Sequence, residues 1–237
     1  MGAGLVAGVV NSLAGGGSLL TVSLLVLLGL PGILANGTNR VGVLVQNAAS
    51  AWRFRAEGVP GAAHALPLLV PVLAGSAAGA WGISRVADET FERLFGVLMV
   101  VLLVPILRRA QPAAAPRVPR WSGATRFAVF LGIGLYGGSF QAGVGIPLLF
   151  ALSWAGHDLV QANSIKVVVI FAVTAVAIPI FAAQGQIAWG PAAALALGFF
   201  AGGELGARLA VRGGERVIRP VLAAAVLALA GRMLGLY

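Results

Sequence analysis

The sequence has no cysteine and few charged residues. Among its 237 residues, 16 are Lys or Arg and 7 are Asp or Glu, so charged side chains make up 10% of the chain. The absence of cysteine excludes disulfide bonds, thiolate metal sites and cysteine nucleophiles. Soluble domains carry about 25% charged residues. Because this chain has far fewer, and a mean hydropathy of +0.96, we expect lipid to be its main solvent.

Acidic residues and histidines are too scarce in the sequence to support a hydrolytic or metal-dependent site. Glu204 is the one acid in the interior of a predicted membrane span, so no pair of carboxylates is available as general acid and base. His64 and His157 have no second histidine at ligand spacing. The net charge of +9 is spread over short loops, which indicates membrane topology rather than a nucleic-acid partner. We therefore expect no enzyme activity, no metal and no nucleic-acid binding.

Two parts of the chain resemble each other. A single shift of the sequence against itself places residues 35–37 (Ala-Asn-Gly) on residues 162–164 (Ala-Asn-Ser) and Gly75 on Gly202. Such internal similarity is typical of transporters built from two structural repeats. We interpret the whole chain as one membrane transport domain. The predicted repeats cover residues 2–109 and 126–236, and a linker covers residues 110–125.

Each predicted repeat contains four apolar segments, of which the first is unusually long. Residues 2–30 and 126–155 would each form a helix of more than ~40 Å, too long for a hydrocarbon core of ~30 Å. Both contain glycine clusters, so each must tilt, break or fold back. The other segments cover residues 36–54, 65–84, 92–108, 161–183, 189–209 and 216–236. The predicted fold is an all-α integral membrane protein with two pseudosymmetric repeats, each of three transmembrane helices plus one glycine-broken long segment.

The distribution of arginines favours one arrangement of the two long segments. If both fold back as re-entrant hairpins, most arginines lie on one side of the membrane, whereas crossing segments leave the two sides nearly balanced. Loops that face the cytoplasm collect Lys and Arg, so the hairpin arrangement agrees better with the charges. It gives each repeat an odd number of crossings and the two repeats opposite orientations. Eight full spans in parallel repeats are the alternative.

The glycine clusters of the long segments are candidate binding sites. A break in an apolar helix exposes backbone groups that lipid cannot satisfy, so it persists where it is buried in protein or lines a cavity. A helix that begins after the break directs free N–H groups and a positive dipole end at it, which suits an anion. Close helix packing through small residues is the alternative. The candidate ligands are Asn11, Gly15, Gly16, Gly17 and Ser18 in the first repeat and Gln141, Gly143 and Gly145 in the second.

A second group of polar residues opens the next apolar segment of each repeat. Amide and hydroxyl groups at a helix start can bind the oxygens of an anion, while cations neutralise its charge. The alternative is that Asn36 and Asn163 are N-caps and that the cations extend to the membrane surface. The candidate ligands are Asn36, Thr38, Asn39 and Arg40 in the first repeat and Asn163, Ser164 and Lys166 in the second.

Glu204 is a candidate for proton coupling, because carboxyl groups inside membranes often relay protons. Its alternative role is to pair with Arg208, one helical turn later. The sequence leaves the coupling ion open between a proton and sodium, and it leaves open whether the protein forms a homodimer.

The glycine and polar motifs together resemble those of the TauE/SafE sulfite-exporter family of bacterial transporters. The resemblance covers essentially the whole chain and implies a multi-pass protein of the bacterial inner membrane. It also implies export or uptake of sulfite, a sulfonate or a similar small sulfur-containing anion, without a bound cofactor. The motifs that carry it are residues 11–18, residues 35–41 with Gln46 and Asn47, residues 134–145 and residues 162–166.

From these features we expect a secondary transporter that works by alternating access. Its partners would be a small anionic substrate and the lipid bilayer. A passive anion channel would use the same residues and is one alternative. A membrane subunit that transports nothing itself is another.

Overall fold

The computed structural model describes residues 1–107, 121–213 and 216–217, and every regular element in this part of the chain is an α-helix. The prediction of an all-α protein is confirmed for these residues. Most of the predicted linker and of the last predicted span lie outside them. The helices are α1 (Gly2–Ala14), α2 (Gly17–Leu27), α3 (Gly32–Ala56), α4 (Ala62–Ile83), α5 (Asp88–Leu107), α6 (Gly123–Ser139), α7 (Gly145–Trp154), α8 (Leu159–Ala183) and α9 (Trp189–Gly213).

Within the described residues, three helices are long and apolar enough to cross a membrane, namely α4, α8 and α9. α3 has 25 residues, and at about 1.5 Å per residue it reaches a similar length. It carries many polar side chains, however, and lipid would not satisfy them. The fold buries them by packing α3 against α8, α9 and α2. The buried polar side chains of α3 are Asn36, Thr38, Asn39, Arg40, Gln46, Asn47 and Ser50.

The first long segment breaks at Gly15 and Gly16 and then folds back. α1 ends at a left-handed glycine, Gly15 with φ of 79°, whose N–H donates to the Asn11 carbonyl. In a continuous helix, residues 7 and 17 would lie about 15 Å apart. Instead, a Cβ placed on Gly17 would overlap the carbonyl oxygen of Ala7. The segment therefore forms a helical hairpin, and neither α1 nor α2, at about 20 Å or less, is long enough to span a bilayer.

The second long segment breaks between α6 and α7. Gln141 has a φ of 58° and Gly143 a φ of 73°, and both angles belong to the left-handed region, which ends a right-handed helix. The Tyr136 hydroxyl donates to the Ala142 carbonyl across this turn. The Val144 side chain lies about 3 Å from a Cβ placed on Gly137. The two predicted long segments are thus discontinuous at corresponding places.

Glycines let α4 and α6 approach each other closely. A Cβ placed on Gly134 would overlap the carbonyl oxygen of Val72, and one placed on Gly138 would overlap that of Ser76. Such contacts are typical of helix pairs in membranes, where small residues permit dense packing. Because the residue numbers rise together, α4 and α6 run in the same direction.

α1 and α9 pack in the same manner. Gly4 lies against Gly198, and Gly8 lies against Gly202, so these two helices also run in the same direction. In the predicted repeats, α1 corresponds to α6 and α4 corresponds to α9. The contact between α4 and α6 therefore corresponds to the contact between α9 and α1. Two repeats would give this correspondence, and the repeat architecture and its boundaries stay a prediction.

α3 and α8 lie side by side and run in opposite directions. Near the start of α3, the Thr38 hydroxyl accepts a hydrogen bond of 2.9 Å from the Ala188 amide, just beyond the end of α8. After α3 has ended, the Val59 carbonyl accepts a hydrogen bond from Ser164, near the start of α8. The opposite ends of the two helices are therefore adjacent.

Three of the helices that begin earlier than predicted change the sequence interpretation. α6 begins at Gly123, inside the predicted linker, because the Ser122 side chain caps it by accepting from the Thr125 amide. α3 begins at Gly32, four residues before the predicted start, and α8 at Leu159, two residues before it. Asn36 and Asn163 are therefore not N-caps. Asp158 caps α8 instead, and at the start of α3 the Asp88 carboxylate accepts a hydrogen bond of 3.0 Å from the Ile33 amide.

Candidate functional site

Lys166 holds the C-terminal end of the half-helix α1. The side chain is fully buried, and its ammonium donates to the Asn11 carbonyl at 2.9 Å, the Ser12 carbonyl at 2.9 Å and the Asn163 Oδ1 at 2.6 Å. These three contacts use every N–H of the ammonium. The two carbonyls belong to the last turn of α1, where the negative end of the helix dipole lies. Lys166 therefore neutralises that helix end.

Asn163 also binds the C-terminal end of α1, so that Lys166 and Asn163 together cap this helix end. It lies three residues before Lys166 on α8, so the two side chains share one face of the helix. Its Nδ2 donates to the Leu13 carbonyl at 3.3 Å, while its Oδ1 accepts from Lys166. The pair thus binds three successive carbonyls, of which those of Ser12 and Leu13 are left without helical partners by the break, while that of Asn11 also accepts from the Gly15 N–H.

Arg40 holds the C-terminal end of α6 in a comparable way. Its Nη2 donates to the Gly138 carbonyl at 2.6 Å and the Ser139 carbonyl at 3.0 Å, and its Nη1 donates to the Gly137 carbonyl at 3.1 Å. The Gln141 Oε1 accepts a fourth bond of 3.2 Å from Nη1. The guanidinium carbon also lies 4.4 Å from the centre of the Phe181 ring, a cation–π distance.

Asn36 donates a hydrogen bond to the helix end that Arg40 binds, as Asn163 does beside Lys166. Asn36 lies one turn before Arg40 on α3, and its Nδ2 donates to the Ser139 carbonyl at 2.8 Å. At about 1.5 Å per residue, Arg40 lies about 12 Å from the start of α3 and Lys166 about 10 Å from the start of α8. Since α3 and α8 run in opposite directions, the two caps lie at different levels along the helix pair.

The two breaks meet each other. A Cβ placed on Gly15 would overlap the Cα of Gly145, and one placed on Gly145 would overlap the Cα of Gly15. The two glycines therefore permit the close backbone packing that one interpretation of the sequence expects, and Gly15 also ends α1, whereas an anion site at the breaks stays a prediction. Beyond this contact, α2 begins after Gly16 and α7 after Val144, and neither helix start has a side-chain cap. The first-turn amides and positive dipole ends of α2 and α7 remain suited to an anion.

Three buried polar atoms in the first half of α3 have no hydrogen-bond partner among the described residues. They are the Asn36 Oδ1, the Asn39 Nδ2 and the Arg40 Nε. A buried polar group without a partner costs about 1–3 kcal/mol. These atoms are therefore available to a ligand, and two of the three are hydrogen-bond donors.

Comparison with known proteins identifies the family. The model of the sulfite exporter TauE/SafE family matches residues 1–233. The chain belongs to this family. It is 26% identical over 237 residues to the "Probable membrane transporter protein ORF9" of Sinorhizobium sp, covering 98% of this chain and 90% of the relative. No solved structure gives a significant match.

Two further relatives carry similar names. The "Probable membrane transporter protein" of Haemophilus influenzae is 26% identical over 222 residues, covering 92% of this chain and 87% of the relative. The "Probable membrane transporter protein YfcA" of Escherichia coli is 24% identical over 221 residues, covering 92% and 82%. The predicted family is thus confirmed, and the chain is a multi-pass protein of a membrane transporter family.

Three predicted ligands of this TauE/SafE family member hold helices in place. Thr38 binds the loop before α9, and Ser164 donates to the Val59 carbonyl. Both contacts lie away from the two breaks. The Asn39 Oδ1 accepts a hydrogen bond of 2.5 Å from the Thr21 hydroxyl of α2, which places Asn39 beside the first hairpin.

A buried polar network beside the first break includes residues outside the predicted ligand set. The Asn11 Nδ2 donates to the Gln46 Oε1 at 2.6 Å, and the Gln46 Nε2 donates to the Ser12 hydroxyl at 2.9 Å. Ser50 lies 2.9 Å from Ser12 and donates to the Gly203 carbonyl at 2.9 Å. Gln46 and Ser50 lie one turn apart on α3, which is the sequence signal that points to them.

In the second break, Gln141 is held by both of its amide atoms. Its Oε1 accepts from Arg40, and its Nε2 donates to the Thr174 hydroxyl at 3.0 Å. These bonds hold the left-handed backbone at Gln141, which a residue other than glycine seldom adopts. Ser18 lies in the first turn of α2 and is buried, with its carbonyl oxygen 3.2 Å from the Thr21 hydroxyl.

Glu204 pairs with Arg53 of α3 in place of Arg208. The Arg53 Nη1 lies 3.4 Å from the Glu204 Oε1, and 36% of the Glu204 side chain is exposed. Arg53 also binds Glu57, which lies 3.9 Å from Arg212. The acid therefore belongs to a partly exposed group of charges between α3 and α9. This environment favours a role in holding the two helices together, and proton coupling at Glu204 stays a prediction.

The two histidines of the chain lie next to each other. His64, at the start of α4, and His157, just before α8, have ring centres 5.4 Å apart in an edge-to-face arrangement. Burial lowers the pKa of His157 and so does the nearby His64, whereas Asp158 acts in the opposite direction. Their separation in sequence gave no sign of this pairing. Within the described residues, no group of three or more His, Cys, Asp or Glu could hold a metal ion.

Proposed function

We propose that this chain is a secondary transporter that moves a small sulfur-containing anion across the bacterial inner membrane by alternating access. The membrane and transporter parts of this proposal come from the family and from the names of its relatives. The sulfur-containing class of substrate comes from the family description. The inner membrane is the bilayer that a multi-pass helical transporter of a bacterium would occupy.

The meeting of the two breaks at Gly15 and Gly145 is the observation that carries the proposal. Discontinuous helices that meet at a repeat interface are a common way to build a substrate site in a membrane. The positive ends of α2 and α7 offset the negative ends of α1 and α6, which leaves about two positive charges from Lys166 and Arg40. Among the described residues, no carboxylate lies within salt-bridge distance of either cation. The region therefore suits a small anion.

The proposed ligands are of two kinds. Backbone amides at the starts of α2 and α7 would bind the anion through the positive helix ends. The Asn39 Nδ2 and Arg40 Nε would donate further hydrogen bonds, since both are buried and have no partner among the described residues. Proposed ligands from the glycine breaks are Gly15, Gly16, Gly17 and Ser18 on one side and Gln141, Gly143 and Gly145 on the other.

The opposite directions of α3 and α8 support alternating access. Repeats of opposite orientation can exchange conformations, so that a site between them opens to one side and then to the other. In this scheme each hairpin would move together with the helix that caps it, α1 with α8 through Lys166 and α6 with α3 through Arg40. The caps would keep each broken helix end satisfied throughout the movement.

Flux into proteoliposomes tests the proposal. We expect purified protein to accumulate labelled sulfite, a sulfonate or thiosulfate above its equilibrium concentration when an ion gradient is imposed, with saturation at high substrate concentration. Flux that only follows the electrochemical gradient would identify a passive channel. No flux of any of these anions under any gradient would contradict transport and favour a non-transporting subunit.

Arg40→Gln and Arg85→Gln form a matched pair for the same assay. Both arginines lie over an aromatic ring and donate to helix carbonyls, but Arg85 is exposed at the end of α4. We expect Arg40→Gln to lower flux by about tenfold or more, because it removes a charge-assisted contact at the site. Arg85→Gln should leave flux unchanged. Equal flux in folded Arg40→Gln protein would remove Arg40 from the site.

A further inference from the structure

The Lys166 ammonium has the surroundings of a bound monovalent cation. Three oxygens lie within 2.9 Å of Nζ, two of them main-chain carbonyls of the last turn of α1 and one the Asn163 amide oxygen. In transporters built from broken helices, such carbonyls at the C-terminal end of a half-helix are the groups that coordinate sodium. Here a side chain of the protein supplies the positive charge.

Arg40 repeats this arrangement at the end of α6. Three main-chain carbonyls, those of residues 137–139, and the Gln141 amide oxygen accept from its two terminal nitrogens. Lys166 lies on α8 and acts on α1, whereas Arg40 lies on α3 and acts on α6. The C-terminal ends of α1 and α6 would each attract a free cation. Each already binds a cationic side chain of the protein.

We propose that Lys166 and Arg40 are tethered cations that take the place of coupling sodium ions, so that transport by this protein is independent of sodium. The sodium independence of flux rests on the proposed transport function, whereas the tethered-cation role concerns the helix ends themselves. A second positive charge about 4 Å from Lys166 would be repelled strongly enough to weaken its binding by about three orders of magnitude, at the effective dielectric constant of a protein.

A cation on a side chain differs from a free sodium ion in one physical respect. A free ion can bind on one side of the membrane and leave on the other, and so couples its gradient to substrate movement. A lysine or arginine side chain stays with its helix. Of the two coupling ions that the sequence leaves open, sodium is therefore the one we exclude.

Two replacements of Lys166 distinguish the effect of its charge from the effect of its volume. Lys166→Ala removes the ammonium and leaves the three oxygens facing a gap that a small cation can enter. Lys166→Met also removes the charge but fills most of the same volume. We expect added NaCl, compared with choline chloride at equal ionic strength, to raise the unfolding temperature of Lys166→Ala by several degrees. Sodium should not stabilise Lys166→Met or the unmodified protein.

Flux of sulfite in the unmodified protein gives a second and independent measurement. With sodium, potassium or choline as the principal cation on both sides of the proteoliposome, we expect initial rates that agree within about twofold. A sodium-dependent rate, or sodium stabilisation of the unmodified protein, would overturn the proposal. So would folded Lys166→Ala protein that gains no stability from sodium.

The two readouts distinguish the possible failures. If no anion is transported in any salt, the proposed function fails, and the thermal measurement still decides whether Lys166 occupies a cation site. If Lys166→Ala does not fold, the sodium dependence of the unmodified protein decides the proposal by itself.

Discussion

Single side chains compensate for the broken helices. Every N–H of the fully buried Lys166 ammonium has an oxygen partner, and the Arg40 terminal nitrogens make four hydrogen bonds. A buried charge without such partners would cost several kcal/mol. The cations are therefore part of what allows helices to end inside the protein.

The burial of His157, together with the neighbouring His64, makes stability depend on pH. Because the pKa of His157 is lowered in the folded protein, the unfolded chain binds a proton more readily. Between the folded pKa and the ordinary value of about 6.5, stability therefore rises with pH. Above that window the effect of His157 on stability is constant.

We expect the unfolding temperature of the detergent-solubilised protein to increase as the pH is raised towards about 6.5 and then to level off, and His157→Gln to reduce that increase. The unmodified protein, measured in the same buffers, provides the reference slope. An unchanged slope in His157→Gln would contradict this assignment of the pH dependence.

At the scale of the helix, glycine positions determine how closely neighbours pack. Gly134 on α6 is buried against the Val72 carbonyl of α4, whereas Gly132 on the same helix is exposed, with no atom within 4 Å of a placed Cβ. The same substitution should therefore have opposite effects at two positions separated by one residue.

We expect Gly134→Ala to destabilise the protein by about 1–3 kcal/mol, because its methyl group must force α4 and α6 apart. Gly132→Ala should be neutral or stabilise by up to about 1 kcal/mol, since alanine favours the helix. Reversible unfolding in mixed micelles measures both. Equal effects at the two positions would refute the close contact.

For the whole molecule, the opposite directions of α3 and α8 determine the topology. Ala56 ends α3 and Ala183 ends α8, and both are exposed. Arg53 and Arg55 lie beside Ala56, whereas the chain after Ala183 begins with uncharged Gln and Gly. Since cytoplasmic loops collect arginine, the end of α3 should face the cytoplasm and the end of α8 the opposite side.

Single cysteines can test this topology without background, because the chain has no cysteine of its own. We expect a membrane-impermeant maleimide applied to intact spheroplasts to label Ala183→Cys but not Ala56→Cys. Inverted vesicles should give the reverse. Labelling of both cysteines from one side would instead support eight spans in parallel repeats.

The sequence by itself determined the class of protein, the family and the places where helices break. Composition specified lipid as the solvent, and the glycine clusters located both interruptions, because apolar helices seldom contain such runs without a structural reason. The sequence could not predict that Lys166 contacts Asn11 and Ser12, because these residues lie more than a hundred positions away. Polar residues on one helix face also do not specify whether they bind a substrate or another helix.

Only the tertiary structure decided what the buried cations contact, that Arg53 rather than Arg208 pairs with Glu204, and that the two histidines meet. These outcomes depend on which helices become neighbours and in which direction they run. Hydropathy indicates how much of a helix prefers lipid, but it does not indicate which neighbouring helix packs against a particular face. That choice arises from the packing of all the helices together, which is why local patterns identified the broken segments and not the contacts that hold their ends.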